Sequence, residues 1–316
     1  MIAQPTHPMI EFRRLHRHFG STRAVHDITF DVRRGQVFGY IGPNGAGKTT
    51  SMRILATLDL PTWGDAFVDG FSCVNDPDRV RRRLGFMPDY FGTYADVNCY
   101  EYLDFFARSY GLVGRERHQA LKHTMSFTRL DELAEKPIRG LSKGMKQRLC
   151  LGRAMIHDPS VLILDEPANG LDPRARIELR EMIRQLAADG KTVLVSSHIL
   201  TELAEMCDEV AIIERGQLLA VGTVAEIQKQ QQPHREVKVR VLGGAAGLAL
   251  WLGQRSDVAD IAADGERLQF SHEGEQASEV ALLREMVLAD FAVAEFASHS
   301  QSLEDVFMAV TRGAVQ

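Results

Sequence analysis

Cysteine is scarce in this sequence, and no two cysteines are spaced like metal ligands. The four, Cys73, Cys99, Cys150 and Cys207, lie far apart with no Cys-x-x-Cys pair. This spacing argues against a zinc site and a disulfide framework, and it suits a reducing cytoplasm.

Long apolar runs are also missing. The most apolar run, Val241 to Gly253, has about 13 residues, whereas a membrane-spanning helix needs about 20. The first residues, Met1 to Glu11, lack the basic-then-apolar order of a secretory signal. We therefore expect a cytoplasmic protein unless a partner holds it at a membrane.

The chain has no excess of positive charge. Its formal net charge is −5, with 45% hydrophobic and 25% charged residues among 316. These values are ordinary for a soluble globular protein and do not point to nucleic acid, so we expect no nucleic-acid partner. The length favours one large domain plus a smaller one.

Short aliphatic runs alternate with helical patterns through the first two thirds of the chain. Residues 36–41, 161–164 and 192–196 are typical of buried parallel strands, and a helix is predicted over 174–189. Residues 95–155 are mostly helical in pattern. The sequence predicts an α/β domain with a mainly parallel sheet and a helical subdomain.

A polar run at 228–234 predicts a linker to a second domain at 235–312. The patterns beyond it follow the order β-α-β-β-α-β, with a hairpin turning at 264–265. This order predicts a small α+β, ferredoxin-like domain. Ser302 and Asp305 could cap its last helix.

Residues 42–49 read G-P-N-G-A-G-K-T, between a predicted strand and a predicted helix. Glycines at 42, 45 and 47 let successive backbone N–H groups converge on phosphate oxygens, and the helix N-terminus adds its positive end. Lys48 supplies a charge to the β and γ phosphates, and the Thr49 hydroxyl ligates Mg²⁺. The sequence therefore predicts a nucleotide site.

Two acids follow the aliphatic run at 161–164. Carboxylates at the C-terminal end of a buried strand lie where open α/β sheets bind ligands. Asp165 would hold Mg²⁺ through a water, and Glu166 would act as general base on the attacking water. His198 ends the next strand and either contacts the γ-phosphate or is structural.

A second candidate anion site precedes a helix. Residues 141–148 read L-S-K-G-M-K-Q-R, where Ser142 and Gly144 offer a hydroxyl, free N–H groups and a helix dipole. Two phosphate-binding devices in one chain make sense if the second serves a neighbour's nucleotide.

Together these motifs resemble the ATPases of ATP-binding cassette (ABC) transporters, with a P-loop NTPase fold over residues 9–228. Residues 42–49 match the Walker A motif, 161–166 the Walker B motif, and 169–172 the D-loop. Residues 141–145 match the L-S-G-G-Q motif, with Lys143 and Met145 as departures. His198 matches the switch histidine, and Phe19 falls where the family has an adenine-stacking aromatic residue.

The resemblance implies a set of site residues. Those implied to bind ATP are Phe19, Gly42, Pro43, Asn44, Gly45, Ala46, Gly47, Lys48, Thr49, Thr50, Ser142, Gly144 and Asp172. Those implied to act in catalysis are Glu166, His198 and Asp89, and those implied to hold Mg²⁺ are Thr49, Asp165 and Asp89.

Asp89 is the largest departure, because the family normally has Gln at this position. We hypothesise that its carboxylate contacts Mg²⁺ directly or through water; the alternative is that it faces solvent. The aromatic residues that follow are dense. Phe105 and Phe106 are expected in a core, and Tyr90, Phe91 and Tyr94 at a permease interface.

The resemblance implies an ATP-hydrolysing subunit of an exporter, held at the inner face of the cell membrane by a separately encoded transmembrane permease. Its second partner would be another ATPase subunit, expected to be an identical copy, with a heterodimer left open. Two alternatives remain: an ABC ATPase acting on DNA or ribosomes, and a P-loop kinase or GTPase. The chain lacks the long coiled coils, the second cassette and the N-K-x-D motif that these would carry.

Overall fold

The chain divides into two compact units, Met1–Val224 and Ala225–Gln316. The computed structural model describes residues 7–90, 92, 96–199, 203, 205–231, 234–274 and 276–299. None of the helices in these ranges is long and apolar enough to span a membrane.

The first unit alternates strands and helices. Its strands are β1 (Ile10–Phe19), β2 (Thr22–Val32), β3 (Val37–Ile41), β4 (Trp63–Val68), β5 (Phe71–Ser72), β6 (Leu84–Met87), β7 (Val161–Leu164), β8 (Thr192–Ser197), β9 (Glu209–Glu214) and β10 (Gln217–Gly222). Its helices are α1 (Lys48–Leu55), α2 (Pro77–Arg83), α3 (Cys99–Ser109), α4 (Gly114–Phe127), α5 (Lys143–Met155) and α6 (Pro173–Ala188), with short 3₁₀ turns at Asp131–Leu133 and Ile138–Gly140.

A six-stranded sheet positions the candidate site. Its order is β10-β9-β3-β8-β7-β6, and all neighbours are parallel except β10 and β9. Every residue of β3, β7 and β8 is buried, as expected of strands in a parallel sheet that is covered on both faces. The register pairs Ile41 with Ser197, and Leu164 with both Val195 and Met87. The C-terminal ends of four strands therefore meet at one edge, and the predicted α/β fold is confirmed.

The remaining strands of this unit form an antiparallel sheet in the order β2-β1-β4-β5. Phe12, Ile28 and Val68 are fully buried on its inner face, in one core with residues of the parallel sheet. The outer face carries polar and aromatic side chains.

Helices α3, α4 and α5 pack around a core of their own, which includes Tyr102, Leu121 and Leu149. Helix α3 begins with a capping box between Asn98 and Glu101. Phe106 packs against this core, but the expectation that Phe105 is a core residue was wrong.

Phe105 is 57% exposed, because it lies two residues from both Leu103 and Ala107, on the side of α3 away from its buried face. Tyr90 is 87% exposed, as an interface residue would be. Phe91 and Tyr94 lie outside the described residues.

The last helix before the second sheet corrects the predicted linker. Helix α7 (Val224–Gln231) takes in most of the polar run, and the next strand begins at His234. Glutamine and lysine are good helix formers, so their polarity does not by itself indicate an irregular linker.

The second unit follows the predicted order β-α-β-β-α-β. Its elements are β11 (His234–Val241), α8 (Ala246–Leu252), β12 (Val258–Asp264), β13 (Arg267–Glu273), α9 (Gln276–Leu288) and β14 (Val293–His299). They form an antiparallel sheet in the order β12-β13-β11-β14, over a core that includes Val237, Leu248 and Phe270. The predicted hairpin is present, but it turns at 265–266, one residue later than predicted, because Asp264 still pairs with Arg267. Ser302 and Asp305 lie outside the described residues.

Candidate functional site

The glycine-rich loop leaves the buried strand β3 and enters helix α1. Gly47 is the residue before the helix, with φ of 105°, in the left-handed region that favours glycine. A Cβ at Gly47 would lie 2.4 Å from the carbonyl oxygen of Ala24, and one at Gly42 would lie 2.3 Å from that of Ile213. The backbone is packed too tightly at both positions for any other residue.

Lys48 opens helix α1 and is 5% exposed. Its Nζ donates to the carbonyl oxygens of Gly42 at 2.6 Å and Pro43 at 3.3 Å. It also lies 3.2 Å from Glu166 Oε1. These contacts hold the ammonium group inside the loop, and no side chain caps the N-terminus of α1. The loop therefore offers backbone donors and a cation to an anionic ligand.

Asp165 follows β7 and is 1% exposed. Its Oδ1 accepts a hydrogen bond from Ser196 Oγ at 2.7 Å, and the Thr49 hydroxyl also hydrogen-bonds to this carboxyl. Burial raises the pKa of Asp165, opposed by these hydroxyls and assisted by the charges of Glu166 and Asp89. A desolvated carboxylate beside a hydroxyl and two further acids is a donor set suited to Mg²⁺. Mg²⁺ would neutralise charge on the phosphate oxygens.

Glu166 links the loop to His198. Its Oε2 lies 2.8 Å from His198 Nδ1, while its backbone N–H donates to Ser196 Oγ at 2.9 Å. The residue has φ of 48°, a left-handed conformation that is uncommon for a non-glycine residue. The bonds to Ser196, Lys48 and His198 hold this strained position. The structure thus brings Lys48, Thr49, Asp165, Glu166 and His198 together, as the motifs predicted.

Asp89 lies at the same sheet edge, just beyond β6. It is exposed, and its Oδ1 accepts a hydrogen bond from Asn169 Nδ2 at 3.3 Å. The negative charge of Asp89 helps to raise the pKa of Asp165. Asp89 is therefore exposed to solvent while its charge reaches Asp165, and its contact with Mg²⁺ stays a prediction.

Ser142, Gly144 and Asp172 meet in a separate groove, where helices α5 and α6 begin. Ser142 Oγ caps α5 by accepting from Met145 N at 3.3 Å, and Asp172 Oδ1 caps α6 by accepting from Ala175 N at 2.9 Å. A Cβ at Gly144 would lie 3.1 Å from Ala175 Cβ. Among the described residues, no hydrogen bond or ion pair joins this groove to Lys48.

Phe19, at the end of β1, is 49% exposed. The guanidinium of Arg17 lies 4.5 Å from its ring centroid and is itself paired with Asp59 at 2.8 Å. One face of the ring is thus covered by a fixed cation.

Three supporting residues were missed by the sequence analysis: Arg17, Asn169 and Ser196. Arg17 was detectable, since it lies two residues before Phe19 in a strand and shares its face. Ser196 was detectable as a polar residue near the end of the apolar run of β8, the strand that pairs with β7. Asn169 gave no signal of its contact with Asp89.

Comparison with known proteins agrees with this geometry. A family model described as ABC transporter matches residues 25–169. A Nod factor export ATP-binding protein I of Ralstonia nicotianae is 38% identical over 220 residues, 70% of this chain and 68% of that protein. YxlF of Bacillus subtilis, an uncharacterised ABC transporter ATP-binding protein, is 33% identical over 307 residues, 96% of this chain and 99% of that protein.

Solved structures give the same result. An ATP-binding subunit of an ABC transporter superposes with a TM-score of 0.64 at 32% identity, covering 70% of this chain and 92% of the other. The chain belongs to the family of ABC transporter ATP-binding proteins. It is an ATP-binding subunit of this kind and an ATPase.

Proposed function

We propose that this subunit energises export through a separately encoded transmembrane permease, on the inner face of the cell membrane. In this proposal residues 9–228 form the ATPase domain, with the helical subdomain at about 95–155, and residues 235–312 form an accessory domain. Export is supported by relatives whose names describe Nod factor export and, in Escherichia coli, a probable multidrug transporter.

The observation that carries the permease proposal is the exposure of Tyr90 directly after Asp89. An aromatic ring that is 87% exposed offers apolar area to a partner, and aromatic residues are common in interface hot spots. Asp89 connects this ring to the carboxylates through its charge on Asp165 and its bond to Asn169. A protein bound at Tyr90 would therefore be one residue from the metal-binding edge.

Within the site, we assign Lys48 and residues 42–50 to the phosphates, and Thr49 and Asp165 to Mg²⁺. We assign Glu166 as the general base, because its carboxylate lies between the phosphate-binding lysine and His198 and contacts both. Phe19 would stack on adenine with the ring face that Arg17 leaves open. Ser142, Gly144 and Asp172 would receive the phosphates held by a second copy of the chain.

Co-purification tests the permease partner. We expect the chain, isolated from its native host after mild cross-linking, to carry a membrane protein with it, and Tyr90→Asp to abolish that recovery. Leu250→Asp is the matched control, since Leu250 is 75% exposed and lies in the other unit. Recovery of DNA or ribosomes in place of a membrane protein would contradict the proposal and support the alternative class.

Asp89→Ala is expected to raise the Mg²⁺ concentration needed for half-maximal ATPase activity by about tenfold. The estimate assumes that one hydrogen bond made by the Asp89 carboxylate is lost, and a hydrogen bond to a charged group is worth about 1.5 kcal/mol. ATP affinity should change less than transport, and Asp89→Gln, which keeps an oxygen at this position, should be largely tolerated. The measurements are ATPase activity titrated with Mg²⁺, and transport in vesicles containing the permease.

Asp78→Ala is the control for this prediction. Asp78 is a strongly exposed acid on α2, with a side chain that is 84% exposed, so its loss removes the same charge at a distance from the site. If Asp89→Ala matched the wild-type protein in both assays, Asp89 would have no part in the reaction or its coupling.

A further inference from the structure

Three histidines cluster on the outer face of the antiparallel sheet, away from the residues assigned to catalysis. His16 and His18 alternate along β1 and so share a face, and His26 joins them from β2. The ring centroid of His16 lies 5.1 Å from that of His26 and 6.2 Å from that of His18. Trp63 of β4 flanks both β1 histidines, at 5.9 and 5.2 Å.

An irregular strand register places His26 on this face. Leu15 pairs with Ile28 while Arg17 pairs with Val25, so β2 has one residue more than β1 between these pairs. Asp27, within that bulge, has φ of 55°. Because Val25 and Ile28 both point into the core, the bulge turns His26 outward, and bulges commonly redirect side chains in this way.

Two of the three histidines each have a ring nitrogen that lacks the hydrogen bond a buried polar atom requires. One ring nitrogen from each histidine lies within 4.8 Å of the other two. His18 Nε2 and His26 Nδ1 are buried and have no hydrogen-bond partner in the described part of the chain. An unpartnered buried nitrogen destabilises the fold, and here two of them belong to neighbouring rings of one cluster.

The groups around His16 are compatible with a bound cation. Asp27 N lies 3.3 Å from His16 Nδ1, and Asp27 Oδ1 lies 3.7 Å from His16 Nε2. A carboxylate in this position can orient a ligating histidine. The nearby Arg13 is already paired with Glu11 at 2.6 Å.

We propose that His16, His18 and His26 bind one divalent transition-metal ion, of which Zn²⁺ is the representative. Imidazole ligands suit zinc, copper and nickel, whereas Mg²⁺ prefers oxygen. Zinc–nitrogen distances of about 2.0–2.1 Å require the three half-buried rings to approach one another by small side-chain rotations. The fourth position is open to water or to Asp27. This site is separate from the Mg²⁺ site at Asp165.

Calorimetric titration of the untagged protein with Zn²⁺, in excess Mg²⁺ to occupy oxygen sites, tests the proposal. We expect one Zn²⁺ per chain. His18→Asn and His26→Asn should each weaken binding by at least about 100-fold, since even groups behind a ligand contribute about 10- to 100-fold. His118→Asn, at an exposed position of α4, is the control and should bind as the wild type does.

Fluorescence gives a second readout that does not depend on ATPase activity. The chain has two tryptophans, and Trp63 flanks His16 and His18. Cu²⁺ should therefore quench the fluorescence of the wild-type protein and of the Trp251→Phe variant, whereas Trp63→Phe should lose this quenching. Circular dichroism confirms that each variant is folded. Absence of saturable Zn²⁺ binding by the wild-type protein, or equal binding by the His18, His26 and His118 variants, would overturn the site.

Discussion

Glu166→Gln is expected to lower the rate of ATP hydrolysis by about 10²- to 10⁴-fold, the range that a general base contributes, while ATP binding is retained. Glutamine keeps the size of the side chain, and its single amide oxygen can still accept a hydrogen bond from Lys48 while its NH₂ group faces His198, but it cannot take a proton from water. Lys48 also remains held by the carbonyl oxygens of Gly42 and Pro43, at 2.6 and 3.3 Å. The loss should therefore fall on the chemical step.

Phosphate release measures hydrolysis, and binding of a fluorescent ATP analogue measures affinity. Because the variant binds ATP without consuming it, an ATP-bound dimer should accumulate and be visible by size-exclusion chromatography. Glu181→Gln is the matched control, since Glu181 is exposed on α6 and paired with Arg129 at the surface. A wild-type rate in Glu166→Gln would mean that another residue is the base, and Asp89 would be the first to test.

The parts of this site that could be predicted are those encoded within a few consecutive residues. The loop at 42–49 and the acids at 165–166 each follow a buried strand directly, so their position depends only on where that strand ends. The parallel register then brings the strand ends together without further information from the sequence. His198 was found for the same reason, as it comes directly after β8.

Contacts between distant segments could not be predicted in this way. The hydroxyl of Ser196 joins Asp165 and Glu166 only because β8 lies beside β7. The bond between Asn169 and Asp89 crosses from the D-loop to the end of β6. Strand β6 is only four residues long, which is too short for an alternation of polar and apolar residues to reveal it. The local sequence therefore did not identify β6 as the strand that pairs with β7 before Asp165.

The errors have physical causes as well. Strands β4 and β10 were not identified, since their mixed apolar and polar residues give a weak alternation. Strand β9 was missed although its four middle residues are apolar and buried. Phe105 was assigned to a core by its hydrophobicity alone, although it lies on the side of α3 away from the buried residues of that helix. The polar run before β11 was taken as a linker, although its residues favour a helix.

Ser142→Arg is expected to reduce ATP hydrolysis by about 10²-fold or more, comparable to removing a donor that stabilises transition-state charge, while ATP still binds. Ser142 lies where α5 begins, in a groove with Asp172 and apart from Lys48 of the same chain. An arginine side chain would fill this groove and exclude a phosphate presented by a second copy. The cap lost from α5 costs about 1 kcal/mol, so the melting temperature should fall only slightly. Ser126→Arg, at an exposed position of α4, is the control.

A mixing experiment separates the two-chain mechanism from a single-chain one. Each proposed site combines Lys48 and Glu166 of one chain with Ser142 of the other. A mixed dimer of Ser142→Arg and Glu166→Gln therefore contains one site with all three residues intact and one site with both defects. Mixing the two inactive variants should restore activity, and the specific activity of the wild-type protein should rise with its concentration. If the mixture stayed inactive and wild-type turnover were independent of concentration, hydrolysis would be complete within one chain, and Ser142 would serve only to cap α5.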